Sequence, residues 1–364
     1  MCIRDSDKPM WGVDGRVRKI VQTDTAIYLG GSFNNLLGPN GEVLPRSNAA
    51  ALDPVTGEPL PFAPNPNNAV WAMALSPDGS SLYLGGDFTK VAGVNRKRLA
   101  KVNATTGAVS TWRVDANSQV QAIATRHDTV YVGGEFTLLG TTPRTRLAAL
   151  DAATGAVSTT WLASADAMVH DLEFSVDGSR LFAGGLFTSV SGSLGNTQRR
   201  LTSLNPVTGT FQPWTSHPGY EVFDVEATRT QVFAAAGGSG GHTMGYDGST
   251  GALQWSAFSD GDAVGVELQN GVLYAGGHFT KWNGLAASHL IALNPAMRRH
   301  RPQVDELGRQ LELSTRTVHT AEMLLRQSRV SVPTVSAACT PRSRSKPVRL
   351  RIWWPQHSAT AASV

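Results

Sequence analysis

Carboxylate and imidazole side chains that could bind a ligand occupy one point of a pattern repeated along this chain. Each copy contains a Gly-Gly pair, and the residue that follows the pair differs between copies. It is Asp87 in one copy, Glu135 in the next and His278 in the last. Asp87 and Glu135 could together bind a cation or a sugar, and two carboxylates at a defined separation also hydrolyse glycosides. The alternative interpretation is a solvated strand end without a ligand.

A second candidate site lies where one copy departs from the pattern. Residues 237–248 read GGSGGHTMGYDG, in place of Phe-Thr and the loop found elsewhere. Glycines allow the backbone to approach a ligand, and His242 and Tyr246 are expected at a loop tip. The alternative is a deletion tolerated at a surface hairpin.

The sequence contains no motif that indicates a metal or cofactor site. The histidines show neither His-x-His nor His-Glu-x-x-His spacing, which zinc sites commonly use. We therefore predict no metal site, no cofactor and no catalytic residue.

The elements that would position these residues recur every ~40 to 55 residues, a period typical of propeller blades. The first glycines of the successive pairs are Gly30, Gly85, Gly133, Gly184, Gly237 and Gly276. One copy divides into four short segments, 70–75, 81–86, 98–103 and 108–114, rich in β-branched and aromatic residues and bounded by turn residues. This predicts an all-β propeller of about six four-stranded blades, with seven as the alternative for the intact protein.

Two residue types in the repeat are predicted to be architectural. Glycine inside a strand indicates a bulge or a close approach of neighbouring backbone, and large aromatic rings suit packing between blades. The glycines are Gly30, Gly31, Gly85, Gly86, Gly133, Gly134, Gly184, Gly185, Gly276 and Gly277; the tryptophans are Trp112, Trp161, Trp214 and Trp255. Arginines before the third strand are expected to pair with the Asp or Asn of a Thr-Gly turn, such as Asp151.

The 364-residue chain divides into a leading segment 1–16, a propeller 17–296 and a basic segment 297–364. The last segment holds 12 Lys and Arg against 4 Asp and Glu, which leaves 20 against 24 for the rest. The repeat domain is therefore mildly acidic although the whole chain carries +4, and no nucleic-acid partner is expected. No apolar run approaches the length of a membrane helix.

Both ends differ from the repeat. The opening MCIRDS resembles translated adapter sequence from assembled metagenomes, and the chain after about Met297 reads as out of frame. We therefore expect the natural protein to differ at both ends. The alternative for 306–327 is a DNA-binding helix-turn-helix with Ser314 as N-cap.

The repeat over 82–112, LYLGGDFTKVAG followed by RKRLAKVNATTGAVSTW, resembles the delta-60 repeat propellers of secreted bacterial proteins. The resemblance covers 17–296. It implies a monomeric, non-enzymatic module that binds or spaces a polysaccharide or protein partner at the cell surface or outside the cell. The alternative is a propeller hydrolase or lyase that acts on polysaccharide. Residues 147–161 also resemble the tryptophan-docking motif of quinoprotein dehydrogenases, a likeness of blade construction only.

Overall fold

A computed structural model describes residues 11–190, 200–216 and 218–295, together with the backbone of 348–350. The described residues form β-strands, turns and loops, and they contain no helix. It follows that no described helix could cross a membrane. The all-β prediction is confirmed, whereas most of 297–364, including the helix-turn-helix alternative, lies outside the described residues.

The strands fall into six consecutive blades, each an antiparallel meander. The first strands are β2 (Arg16–Gln22), β7 (Val70–Leu75), β12 (Val120–Arg126), β17 (Val169–Phe174), β20 (Val222–Ala227) and β24 (Ala263–Gln269). The second strands are β3 (Ile27–Ser32), β8 (Ser81–Gly86), β13 (Thr129–Gly134), β18 (Leu181–Gly185), β21 (Gln231–Ala236) and β25 (Val272–Gly277). The third strands are β6 (Ala49–Leu52), β11 (Leu99–Asn103), β16 (Leu147–Asp151), β19 (Leu201–Leu204), β22 (Gly241–Asp247) and β28 (Leu290–Leu293).

The fourth strand of most blades is shorter than the sequence predicted. Only blade five has a full one, β23 (Leu253–Ser259), whereas blades one to four each have a single bridge, such as Val102 to Val109. In blade two, the indole of Trp112, which follows this bridge, donates a hydrogen bond to the carbonyl of Asp151 in blade three (3.0 Å). The end of the fourth segment is thus bound to the next blade. Among the described residues, none pairs with the outer edge of β28.

Short outer strands complete the architecture. Most form hairpins between the second and third strands of a blade. They are β1 (Gly12–Val13), β4 (Asn35–Leu37), β5 (Val43–Pro45), β9 (Lys90–Val91), β10 (Val94–Asn95), β14 (Leu138–Leu139), β15 (Thr142–Pro143), β26 (Lys281–Trp282) and β27 (Leu285–Ala286). A last strand, β29 (Val348–Leu350), pairs with β2 and lies near β24.

The blades surround a central channel lined by their first strands. From β2 to β20, each first strand contacts the first strand of the next blade, and Lys19 of blade one lines the same narrow channel as Val266 of blade six. Five apolar clusters each combine residues of two neighbouring blades. The sixth cluster contains residues of blade one and its flanking outer strands alone. The core is thus a set of layers between blades, and the described part of the junction between blades six and one has no shared apolar layer.

A repeated aromatic pair joins each blade to the next. An aromatic residue of the second strand packs against one after the third strand in five blades. The pairs are Tyr28 with Phe62, Tyr83 with Trp112, Tyr131 with Trp161, Phe182 with Trp214, and Phe233 with Trp255. The hydroxyl of Tyr83 donates to the carbonyl of Ala152 (3.1 Å), in the Asp-x-x-Thr-Gly turn of blade three. Trp161 and Trp214 are buried and Trp255 is half-buried.

The Asp or Asn before each Thr-Gly is used inside its own turn, which corrects the predicted arginine clamp. Asp151 Oδ1 accepts from the backbone N–H and the hydroxyl of Thr154, at 2.6 and 2.7 Å. Arg144 donates instead to the carbonyls of Pro143 and Ser158 (2.8 and 2.6 Å).

The Thr of each Phe-Thr pair is held by a side chain that precedes the blade. Asn117 Oδ1 accepts the backbone N–H groups of Thr137 and Leu138, both at 2.9 Å, and Asn117 Nδ2 donates to the Thr137 hydroxyl (2.8 Å). The same arrangement recurs with Asn67, Asp166 and Asp260 in other blades. These bonds fix the start of each outer hairpin.

The Gly-Gly pair allows two close approaches at once. A Cβ on Gly85 would lie 2.8 Å from Val120 Cγ1 in the next blade, and a Cβ on Gly86 would lie 2.1 Å from the Ala69 carbonyl oxygen in its own blade. The first glycine therefore lets a side chain of the next blade pack closely, and the second lets the backbone before the first strand of its own blade approach. In blade five the strand pairing puts Ala235 and Ala236 where the other blades have the Gly-Gly pair. The sequence pattern predicts the first glycine of this pair at Gly237, two residues too late.

The Gly85→Ala substitution tests the blade interface. The added methyl would overlap Val120, so we expect the free energy of unfolding to fall by about 1–3 kcal/mol. At the equivalent Gly276, the nearest atom to an added Cβ is the His289 carbonyl oxygen at 3.6 Å. Gly276→Ala should therefore change stability by less than about 0.5 kcal/mol. Urea denaturation measures both, and equal losses would contradict the interface geometry.

Acid should weaken the turns. Hydrogen bonds from Ser249 and Thr250 to the Asp247 carboxylate lower its pKa to about 2, from an ordinary 3.8. Because the folded-state pKa is depressed, this stabilisation is complete above pH 4 and is lost as the pH falls towards 2. We expect Asp247→Asn to lower the melting temperature at pH 5, with a smaller difference from wild type at pH 2.5.

The control for this experiment is Asp24→Asn, because Asp24 is exposed and accepts no hydrogen bond from any described residue. Its melting temperature should follow the wild type at both pH values. A constant difference between Asp247→Asn and wild type across this pH range would contradict the role of the turn carboxylate.

Candidate functional site

All six first strands carry a β-bulge at the same position. In each first strand the register shift skips one residue, the one that follows the partner of the second glycine position, as between Val70 and Ala72. The skipped residues are Arg18, Trp71, Gln121, His170, Phe223 and Val264. All six are half-buried. Because the six strands run in the same direction around the channel, these residues lie at one end of it. We call them the bulge ring.

The bulge re-aims the side chain, as bulges at strand ends commonly do. In five blades the second glycine of the pair lies opposite the residue before the bulge: Gly86 has no Cβ and thus lets the Ala69 carbonyl approach there, whereas blade five forms the same bulge with Ala236 in this position. The same relation holds for Gly134 and Gln119, and for Gly185 and Met168. The architectural glycines therefore also shape the channel mouth.

An arginine stacked on a tryptophan occupies one part of the ring. The guanidinium carbon of Arg18 lies 3.6 Å from the centroid of the Trp71 ring, across the boundary between blades one and two. Trp71 Nε1 donates to Asp87 Oδ2 at 2.6 Å. Burial and the neighbouring Arg16 lower the pKa of Arg18 to about 10, and Asp87 opposes that shift only in part.

A hydrogen-bonded chain occupies the opposite part of the ring. Gln121 Nε2 donates to Gln119 Oε1 at 2.9 Å. His170 bonds to Gln121 Oε1 through Nδ1 and to Glu221 Oε1 through Nε2, both at 2.6 Å. These contacts orient His170 beside Phe223, whose ring centroid is 5.3 Å away.

The predicted residues after the Gly-Gly pairs lie next to this ring. Asp87 is half-buried and bound to Trp71, whereas Glu135 is exposed and bonds through its backbone N–H to Gln119. The two carboxylates are not hydrogen-bonded to each other. The described residues contain no group of three or more potential metal ligands. His278 is half-buried, and its pKa is lowered by burial despite the opposing charge of Asp262. In blade five the residue at the corresponding position is Gly237.

The expectation for blade five is wrong in its local structure. The segment with His242 and Tyr246 is the strand β22, not a loop tip. His242 stacks on Tyr220 with ring centroids 3.9 Å apart. Tyr246 is only 2% exposed, its hydroxyl contacts Met244 Sδ (3.1 Å), and burial raises its pKa. Tyr246 therefore belongs to the layer between blades four and five, where it packs against Trp214.

Carboxylates inside the channel hold the blades together. Asp171 Oδ2 accepts the Val225 backbone N–H, and Asp224 Oδ2 accepts the Val266 backbone N–H, both at 2.9 Å. Each bond joins one blade to the next. These two carboxylates, with Lys19, line the narrow channel below the ring. They are structural residues that have no equivalents in blades two and three, where Ala72 and Ala122 occur.

Sequence reasoning missed the bulge ring. A usable signal was present, because Val70, Val120 and Val169 each precede a residue whose chemical type changes from blade to blade. The bulge that turns this residue towards the mouth becomes visible only through the pairing register.

Comparison with known proteins supports the propeller. Residues 76–109, which include β8 and β11, match the family described as "Domain of unknown function (DUF5122) beta-propeller". Among solved structures, the computationally designed Ika8 protein is similar, with 12% sequence identity and a TM-score of 0.48. That similarity covers 78% of this chain and 76% of the designed one. No curated protein matches the sequence.

The two blade-five residues should respond differently to truncation. Tyr246→Ala leaves a cavity between blades, so we expect a loss of about 3–5 kcal/mol in the free energy of unfolding. His242→Ala removes a ring that is half-buried at the surface, so its loss should stay below about 1.5 kcal/mol. Urea denaturation of both variants measures the difference. A similarly small loss of stability for both variants would contradict the buried position of Tyr246 and favour the exposed loop that the sequence predicted.

Proposed function

We propose that the chain is a non-enzymatic binding module, and that a polysaccharide binds at the bulge ring. One observation carries the proposal. Six bulges at one register turn six side chains to the same end of the channel, and these side chains differ in chemistry while the framework around them repeats. A position that varies on a constant scaffold is suited to ligand recognition.

The chemistry of the ring suits sugars. Trp71 and Phe223 provide aromatic surface, and Gln121, His170 and Glu221 provide planar groups for hydrogen bonds to hydroxyls. The hydrogen bonds already formed between them restrict their orientations before a ligand arrives. Such preorganisation reduces the entropy that binding costs.

Binding without catalysis is supported by three carboxylates of the mouth and channel that already hold structural hydrogen bonds. Asp87 accepts from Trp71, and Asp171 and Asp224 each hold a backbone N–H of the next blade. A glycoside hydrolase needs two carboxylates available to the same bond. The likeness of the repeat to delta-60 propellers supports an extracellular or cell-surface position of the intact protein, as a monomer.

A binding panel tests the proposal. We expect affinity electrophoresis in gels that contain neutral or acidic polysaccharides to retard the wild-type protein in at least one gel. His170→Asn removes the bonds to Gln121 and Glu221, so it should weaken that binding by about tenfold or more. The matched control is His127→Asn, an exposed histidine at the opposite end of the strand that begins at Val120.

Two results would contradict the proposal. One is migration unaffected by every polysaccharide, and the other is an equal loss of binding in both histidine variants. Release of reducing sugar from the bound polysaccharide would instead favour the hydrolase alternative. Melting temperatures of the variants show whether a loss of binding reflects unfolding.

A further inference from the structure

Arg18 is a cation without an anionic partner at the mouth of the channel. Its guanidinium covers the Trp71 ring, and its Nε and Nη1 atoms are shielded from solvent without a hydrogen-bond partner among the described residues. Arg18 forms no ion pair with any residue that the structure describes. Shielded N–H donors without acceptors are costly, and a charged donor more so.

The nearest carboxylate is committed elsewhere. Asp87 attracts Arg18 electrostatically, but its Oδ2 accepts the Trp71 indole N–H at 2.6 Å. The carboxylate therefore holds the ring on which Arg18 stacks and forms no ion pair with the guanidinium. Asp87 thus holds the indole N–H at the edge of Trp71, and the Arg18 guanidinium stacks on the face of the same ring.

Other basic groups lie on the same side of the mouth. Arg16, two residues before Arg18, acts on the charge of both Arg18 and His278. His289 also acts on the charge of His278, and the carboxylates that oppose these effects are Asp262 at His278 and Asp87 at Arg18. This is the junction between blades six and one, where the described residues share no apolar layer. An anion placed here would relieve repulsion among several basic groups.

We propose that the polysaccharide is acidic and that Arg18 binds a carboxylate of a uronic acid residue whose ring lies against Trp71. The inference rests on the proposed function, because it assigns a ligand class to the same bulge ring. Nη2 is the nitrogen of the Arg18 guanidinium that is not shielded, so it can donate to a carboxylate, which the positive charge attracts more strongly than a neutral sugar. The half-buried Trp71 beside it supplies apolar surface for the sugar ring.

Pairs of polysaccharides that differ only in their carboxylate charge test this assignment. Alginate, polygalacturonate and hyaluronate are each compared with the same polymer after methyl esterification, which removes the charge and leaves the sugar backbone. We expect the wild-type protein to bind at least one acidic polymer about tenfold or more tightly than its ester, by biolayer interferometry. Arg18→Gln should abolish this preference, to within about twofold, while weak binding to both forms persists.

The control is Arg113→Gln, because Arg113 is an exposed arginine that pairs with Asp115 beside the outer hairpin of blade three. It should retain the wild-type preference. Equal affinity of the wild type for acid and ester overturns the uronate assignment and leaves the proposed function intact. Binding to none of the six polymers also overturns the assignment, and the broader polysaccharide panel then decides the proposed function. If Arg18→Gln does not fold, the comparison of acid with ester on the wild-type protein still decides.

Discussion

The structure depends on one contact that recurs between neighbouring blades. An aromatic pair of one blade lies against the Thr-Gly turn of the next, and the polar edge of the pair donates to a carbonyl there. Tyr83 donates to Ala152 and Trp112 to Asp151. A single four-stranded sheet buries too little surface to be stable alone, so its free energy of folding comes from these shared layers.

The glycine pair links this framework to the candidate site. Gly85 lets the next blade approach, and Gly86 lets the backbone of its own first strand approach just before the bulge. The same two residues therefore set both the blade spacing and the direction of Trp71. Because the framework needs only small residues and a bulge there, the bulged side chain is free to differ between blades. Recognition can change without loss of packing.

The junction between blades six and one is the exception to the repeated layers. Among the described residues, no apolar cluster spans it, and an added Cβ at Gly276 would meet no atom of a following blade. Basic and acidic groups, including Arg16 and Asp262, lie there instead. Polar groups are solvated more readily than apolar ones, so this junction can open a ligand site at smaller cost than the five others.

The sequence by itself determined the all-β class, the number of copies and the architectural role of the glycine pairs, because turns and strand periodicity are local properties. It placed Tyr246 in a loop tip, whereas the residue lies in the strand β22, because a strand and a loop that are both rich in glycine have similar local sequences. It pointed to Asp87 beside the mouth but not to Arg18 or Trp71. Only the tertiary structure decided that these residues meet, because a one-residue shift in strand pairing and the packing of separate blades leave no trace in local composition.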